Sequence, residues 1–114
     1  MKRSSRKINS VAVFCASSFG NEHEFVELAT NVGKHLALEG VTIIFGGSDA
    51  GLMGAVANGA ISQDGQVIGV YPEDTFSRDV RHRGGVDLRL VSSMHERKAT
   101  MYELSDGVIA LPGG

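Results

Sequence analysis

The sequence predicts an α/β protein: a Rossmann-like parallel sheet with helices on both faces, its C-terminal part missing. Three observations predict it. Short apolar runs recur without polar alternation, in "SVAVF", "VTIIF" and "QVIGVY", as in strands buried on both faces. Segments with apolar residues at helical spacing lie between them. The resulting order is strand, helix, strand, helix, strand, loop, helix, strand, and its right-handed crossovers gather the functional loops at the carboxyl ends of the strands.

Taken in order, Val11, Val13 and Phe14 mark the first strand, and "FGN" turns the chain. Phe25, Leu28, Ala29, Val32 and Leu36 then form one helical stripe that Gly40 stops. "VTIIF" is the second strand, closed by Gly46 and Gly47. A second helix carries Met53, Val56, Ala57, Ala60 and Ile61 on one face, and its small residues suggest close packing on the sheet. Asp64-Gly65 is a turn signal, and "QVIGVY" is a third strand stopped by Pro72. The pattern is lost from Glu73 to Asp87, a polar segment with Arg78, Arg81, His82 and Arg83. "LRLV" is a brief strand candidate. Ser93 and Glu96 form an S-x-x-E capping box for a helix to about Leu104, and the last strand runs from Val108 to Leu111.

With 114 residues the chain is one domain at most. Residues 1–7 are expected to be a basic, disordered head, and 8–114 an incomplete Rossmann-like nucleotide-binding domain. A formal net charge of −2 argues against a general nucleic-acid binder. The single cysteine, Cys15, excludes an internal disulfide and fits a reducing compartment. No apolar stretch approaches the roughly 18 residues of a membrane span, and no signal-peptide core follows the basic head. A cytoplasmic protein without membrane or nucleic-acid partners is expected.

Chemistry is expected at the strand tips, "CASSFG", "GGSDAGLMG", "YPED" and "PGG". Three of the four are rich in glycine and serine, which let backbone N–H groups approach an anion. Neither classical nucleotide fingerprint is present: "GGSDAGLMG" is G-G-x-x-x-G-x-x-G rather than G-x-G-x-x-G, and no Walker A lysine pattern exists. In "SMHERKATMYEL" Arg97 sits in a stripe with Met94, Met101 and Leu104. A guanidinium aimed at packed surface is expected to meet a carboxylate or phosphate, to snorkel to the rim, or to form a structural ion pair. Lys98 adds a neighbouring cation. The histidines His23, His35, His82 and His95 lack metal-ligand spacing, and Cys15 reads as core because no base pairs with it. Asp49 and Asp79 are polar loop residues that can touch a ligand.

The segments "VFCASSFG", "FGGSDAGLMGAVANGA", "VIGVYPE" and "MHERKATMYELSDGVIALPGG" together resemble the LOG family of cytokinin riboside 5'-monophosphate phosphoribohydrolases, over about residues 8 to 114. The resemblance implies a Rossmann-like homodimer that hydrolyses the N-glycosidic bond of a nucleoside 5'-monophosphate, AMP or a cytokinin nucleotide, to free base and ribose 5-phosphate. No cofactor or metal is implied. Arg97 matches the catalytic arginine and Lys98 its substrate-binding neighbour, with Met94 opening the same block. Gly113 and Gly114 match the first glycines of the phosphate loop, Ser17 and Ser18 a serine pair near the nucleotide, and Gly46, Gly47 and Gly51 a second glycine loop. Asp79 falls where the family carries an acidic residue that contacts substrate. Ala16 and Ser48 replace residues that are commonly glycine in the family.

The family motif continues as P-G-G-x-G-T-x-x-E, and this sequence ends at its second glycine. Glycosidic cleavage builds oxocarbenium character on the ribose, so a nearby carboxylate is expected, and in the family it is the motif glutamate. The 114-residue chain alone is therefore expected to be inactive or nearly so, with apolar surface on the last strand left uncovered. The alternative reading is a non-catalytic nucleotide-binding module on the same fold. A pyridoxal-dependent decarboxylase is set aside, because Lys98 lacks the phosphate and pyridinium partners such a cofactor needs.

Overall fold

The computed structural model describes residues 8–15, 23–48, 51–73 and 85–111. Its elements are β1 (Ser10–Phe14), α1 (His23–Leu38), β2 (Thr42–Phe45), α2 (Gly51–Ile61), β3 (Val67–Pro72), β4 (Asp87–Val91), α3 (Met94–Leu104) and β5 (Gly107–Ala110). All five strands pair in parallel in the order β4-β3-β2-β1-β5. The chain walks outward from β1 to β4, then returns to the other side of β1 as β5. That reversal makes the β1–β5 boundary a topological switch point, the place where open α/β sheets bind ligands.

Two apolar layers enclose the sheet. On one face Val11, Val13, Ile43, Phe45 and Val67 meet Ala29 of α1 and Leu52, Val56, Ala57 and Ala60 of α2. On the other, Ala12, Ile44, Val70 and Val91 meet Met101 of α3. Consecutive residues of β1 and β2 thus point into opposite layers, which is why those runs show no polar alternation. The brief "LRLV" candidate is a true edge strand, its Asp87 and Arg89 exposed and ion-paired at 3.0 Å. Charged residues blunt an edge against further pairing.

Two helix details differ from the expected pattern. On α1 the buried side is centred on Ala29 and Gly33, and Leu28 is 41% exposed. Secondly, small residues of α2 serve its contact with α1 as well as the sheet. A Cβ at Gly59 would collide with the Thr30 carbonyl, and one at Gly33 with the Val56 carbonyl. The two glycines let the helices touch backbone to backbone, and that closeness turns the buried side of α1 toward Gly33.

Both helices end in the same way. Val41 N–H donates to Leu36 and Gly40 N–H to Ala37, while Gly65 N–H donates to Ala60 and Asp64 N–H to Ile61. These are Schellman closures with a left-handed residue at C′; Gly40 fills that position in the first and Asp64, at φ 58°, in the second. At β5, Ile109 packs on the core of the α1–α2 side, while Val108, paired with Ala12, is 52% exposed on the α3 side.

Gly59→Ala is predicted to destabilise the fold by about 2 to 3 kcal/mol, because the obstructing atom is backbone and cannot rotate away. Chemical denaturation measures this; a loss below about 0.5 kcal/mol, the range of an ordinary surface substitution, would show that α1 and α2 do not meet this closely.

Candidate functional site

Helix α3 is fixed at both ends before it places any functional group. Ser93 is its N-cap, accepting from Glu96 N–H at 3.1 Å. Glu96 returns the bond one residue further back than the usual box, accepting from Ser92 N–H at 2.7 Å and from the Ser92 hydroxyl at 2.5 Å. Those Ser92 bonds hold the Glu96 carboxyl below its ordinary pKa. At the other end the Ser10 hydroxyl donates to the Leu104 carbonyl at 2.8 Å. Asp106 accepts from Asn9 and Ser10 N–H groups at 2.8 and 3.2 Å. The start of β1 thereby clamps the exit of α3.

Arg97 lies one turn into this clamped helix. Its Nε donates to the Val70 carbonyl of β3 at 3.0 Å, and Nη2 donates to the Gly46 carbonyl just past β2. The guanidinium therefore bridges two strand ends. Nη1 meets the Met94 thioether at 3.5 Å, and Nη2 also faces Met53 Sδ at 3.9 Å. Among the described residues the one ion pair is Arg89–Asp87, so Arg97 has no carboxylate partner there. Burial draws the guanidinium below its ordinary pKa, with Tyr71 acting in the opposite direction. A cation held by carbonyl dipoles and without a carboxylate partner among the described residues is suited to receive an anionic oxygen.

The cavity beside Arg97 has a volume of about 160 Å³. Val13, Phe14 and Cys15 at the end of β1, Gly46 after β2, Met53 of α2 and Met94, Arg97, Lys98 and Met101 of α3 line it. It adjoins the switch point. Four sulfur-bearing side chains form much of its wall, and among the described residues no carboxylate does. Cys15 is a free thiol, pushed up to about 11 by burial. It is protonated at neutral pH and is no nucleophile, in keeping with its reading as core.

The structure brings Arg97, Lys98, Met94 and Gly46 together around this cavity. Gly47 and Gly51 stand apart from it: Gly47, at φ 83°, turns the chain out of β2 beside Tyr71 and Leu88, and Gly51 opens α2. Ser48 is buried. Ser17, Ser18, Asp49, Asp79, Gly113 and Gly114, with Ala16 and His82, lie outside the described residues. Sequence reasoning missed Met53 as a neighbour of Arg97, since it sits on a different helix, and it missed the Gly46 and Val70 carbonyls, which leave no side-chain signal. Among the described residues no helix is long and apolar enough to cross a membrane.

Residues 9–114 match the SLOG cluster4 family. A cytokinin riboside 5'-monophosphate phosphoribohydrolase of Rhodococcoides fascians is 42% identical over 106 residues, covering 92% of this chain and 54% of that protein. The enzyme of the same name from Oryza sativa subsp. japonica is 38% identical, covering 95% of this chain and 45% of that one. The chain thus spans about half the length of the curated relatives it matches. Among solved structures, a molybdenum cofactor binding protein from Rippkaea orientalis superposes with a TM-score of 0.79 at 26% identity, over 97% of this chain and 66% of its own. A molybdenum cofactor carrier protein from Chlamydomonas reinhardtii gives 0.77 at 21% identity, over 95% and 65%, and shares the fold.

Two measurements check the site. A Cβ at Gly46 would collide with the Arg97 guanidinium and lie 2.8 Å from Met53 Sδ. Gly46→Ala should therefore expel a flexible side chain rather than break the backbone, lowering the thermal unfolding midpoint by a few degrees. An unchanged midpoint would show that Arg97 does not need its Gly46 anchor. For Cys15 the folded pKa is raised, so the thiol favours the fold below its unfolded pKa, and this contribution fades as pH rises from about 9 towards 11. Iodoacetamide should label Cys15 slowly at pH 7 and about tenfold faster per pH unit up to the folded pKa; fast labelling at pH 7 would contradict its burial.

By the match over nearly its whole length and by these curated relatives, the chain belongs to the SLOG cluster4 family, which the sequence resemblance named as the LOG family.

Proposed function

We propose that the protein acts in hydrolysis of the N-glycosidic bond of a nucleoside 5'-monophosphate, AMP or a cytokinin riboside 5'-monophosphate. The observation that carries the reading is Arg97, a strand-anchored guanidinium without a carboxylate partner among the described residues, on the wall of a cavity beside the switch point. The relatives' names supply the reaction class. In that reaction the bond between C1′ and the base nitrogen breaks, its electron pair leaves with the base, and water delivers hydroxyl to C1′ and a proton to the base. Arg97 binds and orients an oxygen of the nucleotide, and Lys98, exposed at the rim, adds positive charge along the approach. A homodimer in the cytoplasm belongs to the same reading.

A second reading, a non-catalytic nucleotide-binding module on the same fold, draws support from the solved molybdenum cofactor binding protein at 26% identity.

One experiment tests both. The 114-residue chain, and a chain continued through the family's G-x-G-T-x-x-E, are incubated with AMP, and adenine and ribose 5-phosphate are quantified. Turnover is expected from the continued chain alone, falling about 100- to 1,000-fold with Arg97→Ala. Equal turnover from both chains would contradict the requirement for the motif glutamate. AMP binding without turnover in either chain would decide for the binding module.

A further inference from the structure

Arg97 offers five N–H donors in a rigid fork. Nε and one side of Nη2 are committed to the Val70 and Gly46 carbonyls, whose strands are paired within the sheet. The other edge is met by sulfur, Met94 at 3.5 Å from Nη1 and Met53 at 3.9 Å from Nη2. A thioether is a weak acceptor, far poorer than the anionic oxygen that a guanidinium fork fits. The two methionines are held differently. Met53 is half-buried and packs against the core on the α1–α2 side, whereas Met94 is 62% exposed at the first position of α3. Met94 is thus a flexible, solvated side chain and, among the described residues, the contact on the Nη1 edge of a half-buried cation; it lines the same cavity.

We propose that Met94 is a displaceable plug on Arg97: its thioether covers the Nη1 edge while the site is empty and swings into solvent when an anionic oxygen of the ligand takes that edge. This rests on the nucleotide reading above. Met94 is then a positioning residue that sets affinity through Arg97. It keeps the guanidinium flat against the strand ends in the absence of ligand, and the ligand must displace it to bind.

Three variants separate this from simple packing. Met94→Leu keeps an apolar side chain of similar size but has no acceptor, so AMP and ribose 5-phosphate should bind about threefold more tightly. Met94→Gln places a stronger acceptor at the same reach, so the plug holds and both ligands should bind at least threefold more weakly. In a chain with ¹³C-methyl methionine, the Met94 methyl resonance should move to a solvent-exposed shift on adding ribose 5-phosphate, and should not respond in Arg97→Ala. Calorimetry with adenosine, which lacks phosphate, tells which oxygen takes the edge. Tightening by Met94→Leu for AMP but not adenosine assigns the edge to phosphate, and tightening for both assigns it to ribose. If Met94→Leu binds AMP equally or more weakly, while wild type binds it through Arg97, Met94 is a packing contact and the plug is overturned alone. If wild type binds neither AMP nor ribose 5-phosphate, the nucleotide reading falls and the plug with it.

Discussion

The guanidinium of Arg97, spanning the Gly46 and Val70 carbonyls, is the contact on which the candidate site depends. It joins α3 to the ends of two strands from the opposite side of the sheet to α1 and α2. For that reach to work, α3 must be held at a fixed height and rotation above the sheet. The Ser93–Glu96 cap fixes its entry, the Ser10 and Asp106 bonds fix its exit, and Met101 fills the layer beneath it. Gly46 completes the arrangement by leaving room where any side chain would stand. Each of these is a local feature, and together they hold a cation at the mouth of a cavity beside the switch point.

The electrostatics follow from this placement. Burying a cation is costly, and for the half-buried Arg97 the partners among the described residues are carbonyl dipoles and thioethers rather than a carboxylate. Burial pulls the guanidinium below its ordinary pKa, with Tyr71 acting in the opposite direction. Under the nucleotide reading, a ligand oxygen would add to these contacts. The protonated Cys15 and the methionines give the cavity an apolar wall against which such a charge pair is poorly screened.

Much of this was legible beforehand. The unbroken apolar runs of β1, β2 and β3 identified a sheet covered on both faces, and the S-x-x-E spacing placed the start of α3 to the residue. Arg97 stood out because a charge recurred in an apolar stripe. Other features were not legible for physical reasons. Leu28 carries the same helical spacing as Ala29, and only the glycine-mediated approach of α2 decides which one faces inward. The partners of Arg97 are backbone carbonyls, which every residue possesses, so no pattern of side chains marks them. Gly47 and Gly51 share the glycine loop with Gly46 yet line no part of the cavity, since a left-handed turn carries the chain away.

The most direct test of the central claim is a crystal structure with AMP bound. A phosphate or ribose oxygen within hydrogen-bond distance of Arg97, in the cavity between the end of β1 and α3, is the predicted result. AMP seated instead at the opposite end of the sheet, in the larger groove lined by Gly65, Gln66, Gly85 and Arg89, with Arg97 still covered by Met94, would contradict it.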